Sequence, residues 1–460
     1  MDTNLPFSAQ PRVVIVGCGF GGLKLAQSLA DAPVQVVVVD RNNYHNFQPL
    51  LYQVATGALE ADSIAYPVRK IFAGQKNFFF RMADVKNVVP GANTLQTSVG
   101  DIKYDYLVLS TGSLTNFFGI ESIEKNAMQI KSIPNALNLR SFIFQNFEQA
   151  LLVNDPNERQ ALLNIVVVGG GPTGCEISGS LAEMRKHVLP KDYPELDLRK
   201  MQIFLVEAGP ALLGPMSKAS QADAKVYLDE LGVQVRLNTA IKKFENGRAY
   251  YSDTEFIPTE NMVWAAGVNG AALPGLPEPA VTRNKRITVN QWNQVEGETN
   301  IFAIGDVANM VTAEMPKGLP MLAPVAQQQA AHLAENLQRI IRGEQPQDFK
   351  YLDKGVMAII SRNKAVVDLP KGIHFKGFLG WLSWLFIHLI LLVGFRNKVV
   401  AMVDWAFSYF SSDQALRLII RPFKRRDMKD DQGKRAAEQA TATPEYTPTP
   451  SAVQESAPAA

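Results

Sequence analysis

Short apolar runs that end in glycine recur along this chain, and their spacing predicts its architecture. Val13-Val14-Ile15-Val16 is apolar and mostly β-branched, the pattern of a buried strand, and Gly17-Cys18-Gly19-Phe20-Gly21-Gly22 breaks it at once. From Leu23 to Ala30 the apolar residues return at helical spacing. The unit is strand, tight turn, helix, with Gly17, Gly19 and Gly22 in G-x-G-x-x-G register. Gly17 permits the turn, Gly19 lets a pyrophosphate approach the backbone, and Gly22 lets helix pack on strand. The helix N-terminus then presents free N–H groups to phosphates. A second strand, Val34 to Val39, ends in Asp40, 18 residues after Gly22, where an acid would bind an adenosine ribose.

The same unit is repeated in the middle of the chain. Asn164 to Val168 reads as a buried strand, Gly169-Gly170-Gly171-Pro172-Thr173-Gly174 as the turn, and Cys175 to Lys186 as the helix. Two such units predict two dinucleotides. The second acidic strand end, Glu207, comes 33 residues after Gly174, longer than the usual interval. The excess falls in the charged, Pro-containing segment Arg185 to Arg199, which reads as a helix extension and a surface loop. Three further strands run into small-residue turns: Asp105 to Gly112, with Thr111-Gly112 at its end; Asn261 to Gly267, ending Ala265-Ala266-Gly267; and Asn300 to Asp306, ending Gly305-Asp306.

Composition narrows the class. The 460 residues suffice for two or three domains, and 47% hydrophobic with 20% charged residues is globular. A net charge of +2 argues against nucleic acid as the main partner. Two cysteines exclude a disulfide scaffold and a cysteine-rich metal site, so no metal is expected. Cys18 and Cys175 both lie inside glycine turns, where small size is their qualification. Met1 to Arg12 lacks the apolar core of a signal peptide, which predicts that the protein stays on the side of the membrane where it is made.

The order G-x-G-x-x-G, strand-Thr-Gly, second G-x-G-x-x-G, Ala-Ala-Gly, then Ile-Phe-Ala-Ile-Gly-Asp resembles the two-dinucleotide-domain flavoprotein oxidoreductases. The resemblance implies an α/β fold of two Rossmann-like dinucleotide-binding domains. The FAD domain is split into 1–112 and 295–350, and the NADH domain, 113–294, is inserted between. It implies FAD contacts at Gly17, Gly19, Phe20, Gly22, Asp40, Thr111, Gly112, Gly305 and Asp306. NADH contacts are implied at Gly169, Gly171, Pro172, Thr173, Gly174, Glu207, Ala266 and Gly267. Within that superfamily, Asn46 to Gly57, with Gln48 and Pro49 at its start, looks like the flavin-proximal motif of type II NADH:quinone oxidoreductases. No paired cysteine stands near the flavin, which argues against glutathione-reductase-like and sulfide:quinone enzymes.

The same family carries A-Q-x-A-x-Q beside flavin and quinone, and Ala323 to Ala330 is similar to it, opening a helix that runs to about Arg342. Ala326-Gln327 matches the motif's start, but the second glutamine would fall at Ala331. The implied quinone residues are Pro324 and Gln327, with Gln328 and Gln329 as substitutes. The resemblance gives Glu176 a share in relaying protons or orienting NADH. Its residue-level reading is a carboxylate favoured by the helix dipole, worth about 0.3–1 kcal/mol.

The C-terminal part also resembles the family. Phe378 to Phe395 holds no Asp, Glu, Lys or Arg across 18 positions, the lower limit for a spanning helix. Trp381, Trp384 and Trp405 suit a membrane interface, and Lys424, Arg425 and Arg426 suit anionic lipid. Region 351–426 therefore reads as a membrane-anchoring region whose residues 371–426 lie in the interface as a monotopic anchor. A membrane span and a homodimer face are the alternatives. Residues 427–460 are too polar for a core and read as a disordered tail. The whole predicts a non-electrogenic NADH:quinone oxidoreductase, peripheral to the cytoplasmic face of the inner membrane. The rivals are a soluble NAD(P)H-dependent reductase of ferredoxin or rubredoxin, and a flavin-bearing redox sensor.

Overall fold

The computed structural model describes residues 3–411, 416–419 and 423. β1 (Arg12–Val16) leads through its glycine turn into α1 (Phe20–Ser28), followed by β2 (Gln35–Asp40), the short α2 (Leu51–Ala55), β3 (Phe78–Met82) and β4 (Tyr106–Leu109). A second run comprises β5 (Met128–Gln129), α3 (Ile133–Leu152), β6 (Ile165–Val168), α4 (Pro172–His187), β7 (Ile203–Val206), α5 (Lys218–Glu230), β8 (Val233–Arg236) and β9 (Asn261–Trp264). β10 (Ile301–Ala303) then returns, and α6 (Ala323–Ile341), the strands β11 (Val356–Ser361), β12 (Lys364–Leu369) and β13 (Ile373–Lys376), and helices α7 (Gly377–Leu391) and α8 (Phe395–Ser411) complete the chain.

Two parallel sheets result, in the orders β10-β4-β1-β2-β3 and β5-β9-β6-β7-β8. Parallel strands are covered on both faces, which is why they read as continuous apolar runs. β10 completes the first sheet only after the second has been built, so the first sheet is discontinuous in sequence. In both sheets the strand before the glycine turn is central, and the neighbouring connections leave in opposite directions. This is the crevice where open α/β sheets bind ligands.

Two local expectations are modified. The segment after α4 runs over the surface as expected but is anchored: Leu189, Tyr193, Leu196 and Leu198 are buried in the largest core cluster. Apolar residues scattered among charges carried that burial, and periodicity does not register them. The expected interfacial tryptophans also turn inward. Trp384 is fully buried, and Trp405 Nε1 donates to Gln53 Oε1 at 2.7 Å. β11 to β13 form an antiparallel sheet on which α7 packs, and Trp384, Leu392 and Ala401 share one core with Leu51, Tyr52 and Ile177. Asn397 Nδ2 donates to the carbonyls of Asp62 and Ala65. The C-terminal region is thus an integral wall of the body. Phe and aliphatic side chains make its outer face: Phe395 and Phe410 are 83% and 85% exposed, with Leu379, Phe386, Met402 and Phe407 between them. Among the described residues no helix is long and apolar enough to cross a membrane. Lys424, Arg425, Arg426 and 427–460 lie outside the described residues.

Candidate active site

The two glycine turns are built alike. A Cβ on Gly17 (φ +99°) would lie 2.3 Å from the Ser110 carbonyl oxygen, and one on Gly22 would lie 1.9 Å from that of Gly17. In the second turn Gly169 (φ +110°) and Gly174 meet the carbonyls of Ala265 and Gly169 at 2.6 and 1.8 Å. A Cβ on Gly19 or Gly171 would meet nothing within 4 Å. The first and last glycines are therefore demanded by the protein's own packing. The middle ones leave a bare backbone surface at a helix N-terminus, and that surface fits a pyrophosphate. Phe20, one residue on, packs edge-on against His45 and Phe47.

The acids at the strand ends brace these turns. Asp40 accepts from the N–H of Cys18 at 2.7 Å and of Asn42 at 2.8 Å; Glu207 accepts from Gly170 and Gly209, each at 2.6 Å. Burial raises the Asp40 carboxyl, and the two N–H bonds and Arg41 oppose it. Thr111 Oγ1 donates to the Ala271 carbonyl, tying the first sheet's edge to the return segment. Gly112 and Gly267 take positive φ at the two strand ends, and Phe118 lies against Gly267. Ala266 stands beside Gly267 on the same turn, and Pro172 and Thr173 are exposed in the first turn of α4. Both cysteines are free and buried, and burial pushes the Cys18 and Cys175 thiols up.

Four separate segments meet around Asp306. Ser113 Oγ donates to Asp306 Oδ2 at 2.6 Å, and Lys131 Nζ donates to Ser113 Oγ at 2.9 Å and Gln48 Oε1 at 3.4 Å. Burial lowers the Lys131 pKa while Asp306 raises it. Neither Ser113 nor Lys131 was foreseen. Lys131 follows the two-residue strand β5, and its one signal in the sequence is a lone cation directly after Met128-Gln129-Ile130. Pro49 lies with Gln48 in a single 3-10 turn leading into α2.

At the start of α6, Pro324 occupies the first turn and Ala326 packs on Gly305. The three glutamines part company. Gln329 is buried and its Oε1 accepts from Gly305 N–H at 2.8 Å, which fixes the Gly305-Asp306 turn. Gln328 exchanges two hydrogen bonds of 3.0 Å with the backbone of Leu352. Gln327 is half-buried. Helical geometry explains the split, because consecutive residues point about 100° apart and cannot share one target.

Glu176 lines a cavity of about 100 Å³ enclosed by α2, α4, β11, α7 and α8, with Tyr52, Gln53, Ser180, Arg362 and Trp405 among its other walls. Burial pushes the Glu176 carboxyl well above its usual range, opposed by a hydrogen bond from the Ile359 N–H. The cavity is far from empty of polar groups: Gln53 Nε2 donates to Tyr52 Oη at 2.8 Å, and Thr56 Oγ1 lies 2.8 Å from Ser180 Oγ.

Residues 11–330 match the pyridine nucleotide-disulphide oxidoreductase family model, and 354–412 match that of the NDH2 C-terminal domain. The chain is 34% identical over 424 residues to the type II NADH:quinone oxidoreductase Ndh of Mycobacterium tuberculosis, spanning 88% of this chain and 90% of that one. The chain belongs to the type II NADH:quinone oxidoreductase family. A family member from Staphylococcus aureus is 30% identical, over 77% of this chain and 89% of its own. Among solved structures, NDH2 from Plasmodium falciparum in complex with NADH shares the fold at a TM-score of 0.80 and 21% identity, over 90% of this chain and all of that one. The sulfide:quinone oxidoreductase of Aquifex aeolicus shares it at 0.64 and 23% identity, over 87% and 95% of the two chains.

In this type II chain the structure joins what the sequence kept apart. Asp306, Gln48, Ser113 and Lys131 form one connected group, and Glu176 stands against the Asn46–Gly57 segment. Gln327 does not line the Glu176 cavity. The link between Gln53 in the Asn46–Gly57 segment and Trp405 on α8 was missed; their 352-residue separation leaves no local trace.

Proposed function

We propose that the chain oxidises NADH and reduces a membrane quinone through FAD, bound peripherally to the membrane and without proton pumping. The observation that carries this reading is the hydrogen-bonded group Gln48–Lys131–Ser113–Asp306 beside an open glycine turn. It offers a carboxylate and a half-buried cation next to a bare backbone, which fits a flavin dinucleotide. Bound FAD would take a hydride from NADH and pass two electrons to the quinone.

The chain's own residues then bind and orient. Asp40 takes the FAD ribose, with Gly17, Gly19, Phe20 and Gly22 at the pyrophosphate, and Gln48, Pro49, Thr111, Gly112, Gly305 and Asp306 along the rest. Glu207 takes the NADH ribose and repels a 2′-phosphate, with Gly169, Gly171, Pro172, Thr173, Gly174, Ala266 and Gly267 around the remainder. Gln327, beside Pro324, donates to a quinone carbonyl as charge develops there. The structural tasks of Gln328 and Gln329 support Gln327 as the donor of the three. Glu176 holds a proton in the cavity wall. The exposed apolar side chains on α7 and α8, Leu379, Phe386, Phe395, Met402, Phe407 and Phe410 among them, support seating on lipid. The cytoplasmic face of the inner membrane is the side proposed. Anaerobic stopped-flow with NADH, then a short-chain quinone, tests the reading: flavin bleaching followed by reoxidation is expected, and a flavin that bleaches but is not reoxidised by quinone would refute it.

A further inference from the structure

A left-handed backbone is costly for a bulky side chain, and among the described residues Phe118 is the one aromatic that adopts it, with φ +53°. Such a conformation persists where the surroundings over-determine it, and here three hydrogen bonds do so. The Phe118 N–H donates to Asn116 Oδ1 at 2.8 Å, the Asn116 N–H to the Gly267 carbonyl at 3.2 Å, and Trp264 Nε1 to the Asn116 carbonyl at 2.8 Å. Burial does not offset the strain. Phe117 packs on the core of the second sheet, stacked with Trp264, whereas Phe118 is 62% exposed.

The ring is held at the junction of the two sheets. Its edge atoms Cζ and Cε2 lie 3.2 and 3.8 Å from where a Cβ on Gly267 would stand, so a side chain there would push the ring away. Gly267 closes the turn after β9, and the Ala265 carbonyl of the same turn abuts Gly169, the first glycine of the second nucleotide turn. Five residues before Phe118, Ser113 donates to Asp306 in the group beside the first nucleotide turn. The Phe118 ring thus rests by its edge on bare backbone, between the second crevice and the Asp306 group, with most of its surface open.

We propose that the Phe118 ring is the wall against which the nicotinamide ring of NADH packs, and that it stabilises the positive charge which that ring acquires. The inference rests on the NADH:quinone reading above and adds a residue to its first half. Hydride transfer breaks the C4–H bond of a neutral dihydronicotinamide; the hydrogen leaves with both bonding electrons for the flavin, and the nicotinamide that remains carries one positive charge. An aromatic face attracts a cation by its quadrupole and has no such attraction for a neutral ring. The contact therefore strengthens as the charge develops, which lowers the barrier to hydride transfer instead of only tightening the binding of NADH. The stapled, strained backbone sets the ring in place before the dinucleotide arrives, so little ordering is left to be done on binding.

The test uses the full-length FAD-loaded enzyme. Phe118→Leu keeps apolar bulk without an aromatic face, and Phe118→Tyr keeps the face. Calorimetric titration measures the binding of NAD⁺, whose nicotinamide is charged, and of the uncharged, unreactive tetrahydronicotinamide analogue of NADH. Anaerobic stopped-flow follows flavin reduction by NADH and reoxidation by a short-chain quinone. Phe118→Leu is expected to weaken NAD⁺ by about 3- to 30-fold and to slow flavin reduction by a similar factor. The uncharged analogue and the reoxidation step should stay within about twofold, and Phe118→Tyr should behave as wild type. Wild-type NAD⁺ affinity and flavin reduction in Phe118→Leu would overturn the proposal, as would equal weakening of the charged and uncharged ligands. Should Phe118→Leu lose FAD, Phe118→Gly, which relieves the backbone while removing the ring, gives the same comparison of ligands. A wild-type enzyme that NADH bleaches and quinone does not reoxidise would instead sink the quinone reading and leave the Phe118 comparison standing.

Discussion

Gly179 on α4 faces β11 so closely that an added Cβ would lie 1.7 Å from the Ile360 carbonyl oxygen and 2.8 Å from its carbon. A carbon–oxygen contact is about 3.3 Å or more, so Gly179→Ala forces β11 back by roughly 1.5 Å. The obstacle is backbone in the middle of a sheet, so no rotamer change relieves it. On either side of Ile360, the N–H groups of Ile359 and Arg362 donate to Glu176 and Glu183, and a shift of that size takes such bonds out of range. Overpacking costs about 1–3 kcal/mol, and loss of one hydrogen bond to a charged group adds about 1.5–3 kcal/mol. Alanine returns about 1 kcal/mol of helix propensity over glycine. The net is a destabilisation of about 1.5–5 kcal/mol. Thermal unfolding of the FAD-loaded protein should show the loss, and NADH:quinone activity should fall further than NADH:ferricyanide activity, because the cavity wall moves while the nucleotide turns do not. A Gly179→Ala protein as stable as wild type, with both activities in their original ratio, would refute the reasoning.

Asp306→Ala removes the acceptor of Ser113 and leaves the half-buried Lys131 without its nearby carboxylate; the protein should purify with little FAD, and full flavin absorbance would count against the assignment. Glu207→Ala should lower kcat/KM for NADH by about 10- to 100-fold, the worth of a charged hydrogen bond, and raise the NADPH:NADH ratio; wild-type enzyme that already uses both equally would show Glu207 to be misassigned. Gln327→Ala should slow flavin reoxidation by quinone about 2- to 13-fold and leave flavin reduction by NADH near normal, and slowing of both halves alike would move the quinone elsewhere. Glu substitutions at the exposed Leu379, Phe386 and Phe407 should shift the protein from vesicles of mixed zwitterionic and anionic lipid to the supernatant with FAD retained, whereas undiminished sedimentation after a salt wash would place the lipid contact outside this face.

The sequence alone determined the parts whose chemistry is local. Each glycine turn is a strand, three glycines and a helix within about ten residues, and its last glycine is demanded by backbone inside that same stretch, as at Gly22 against Gly17. The strand-end acids and the Gly305-Asp306 turn were legible for the same reason. Tertiary structure decided what depends on pairs distant in sequence. Lys131 joined the group around Asp306 because β5 ends beside Ser113 and Gln48, and Gln329 became a brace because α6 packs on Gly305. It also decided which way the C-terminal aromatics face. Trp384 and Phe386 are two residues apart in one apolar helix with little amphipathic contrast, yet one is buried and the other exposed. An apolar segment supplies no polar face to orient it, so only the neighbour that fills one side, here β12 and the core around Tyr52, determines which side remains exposed.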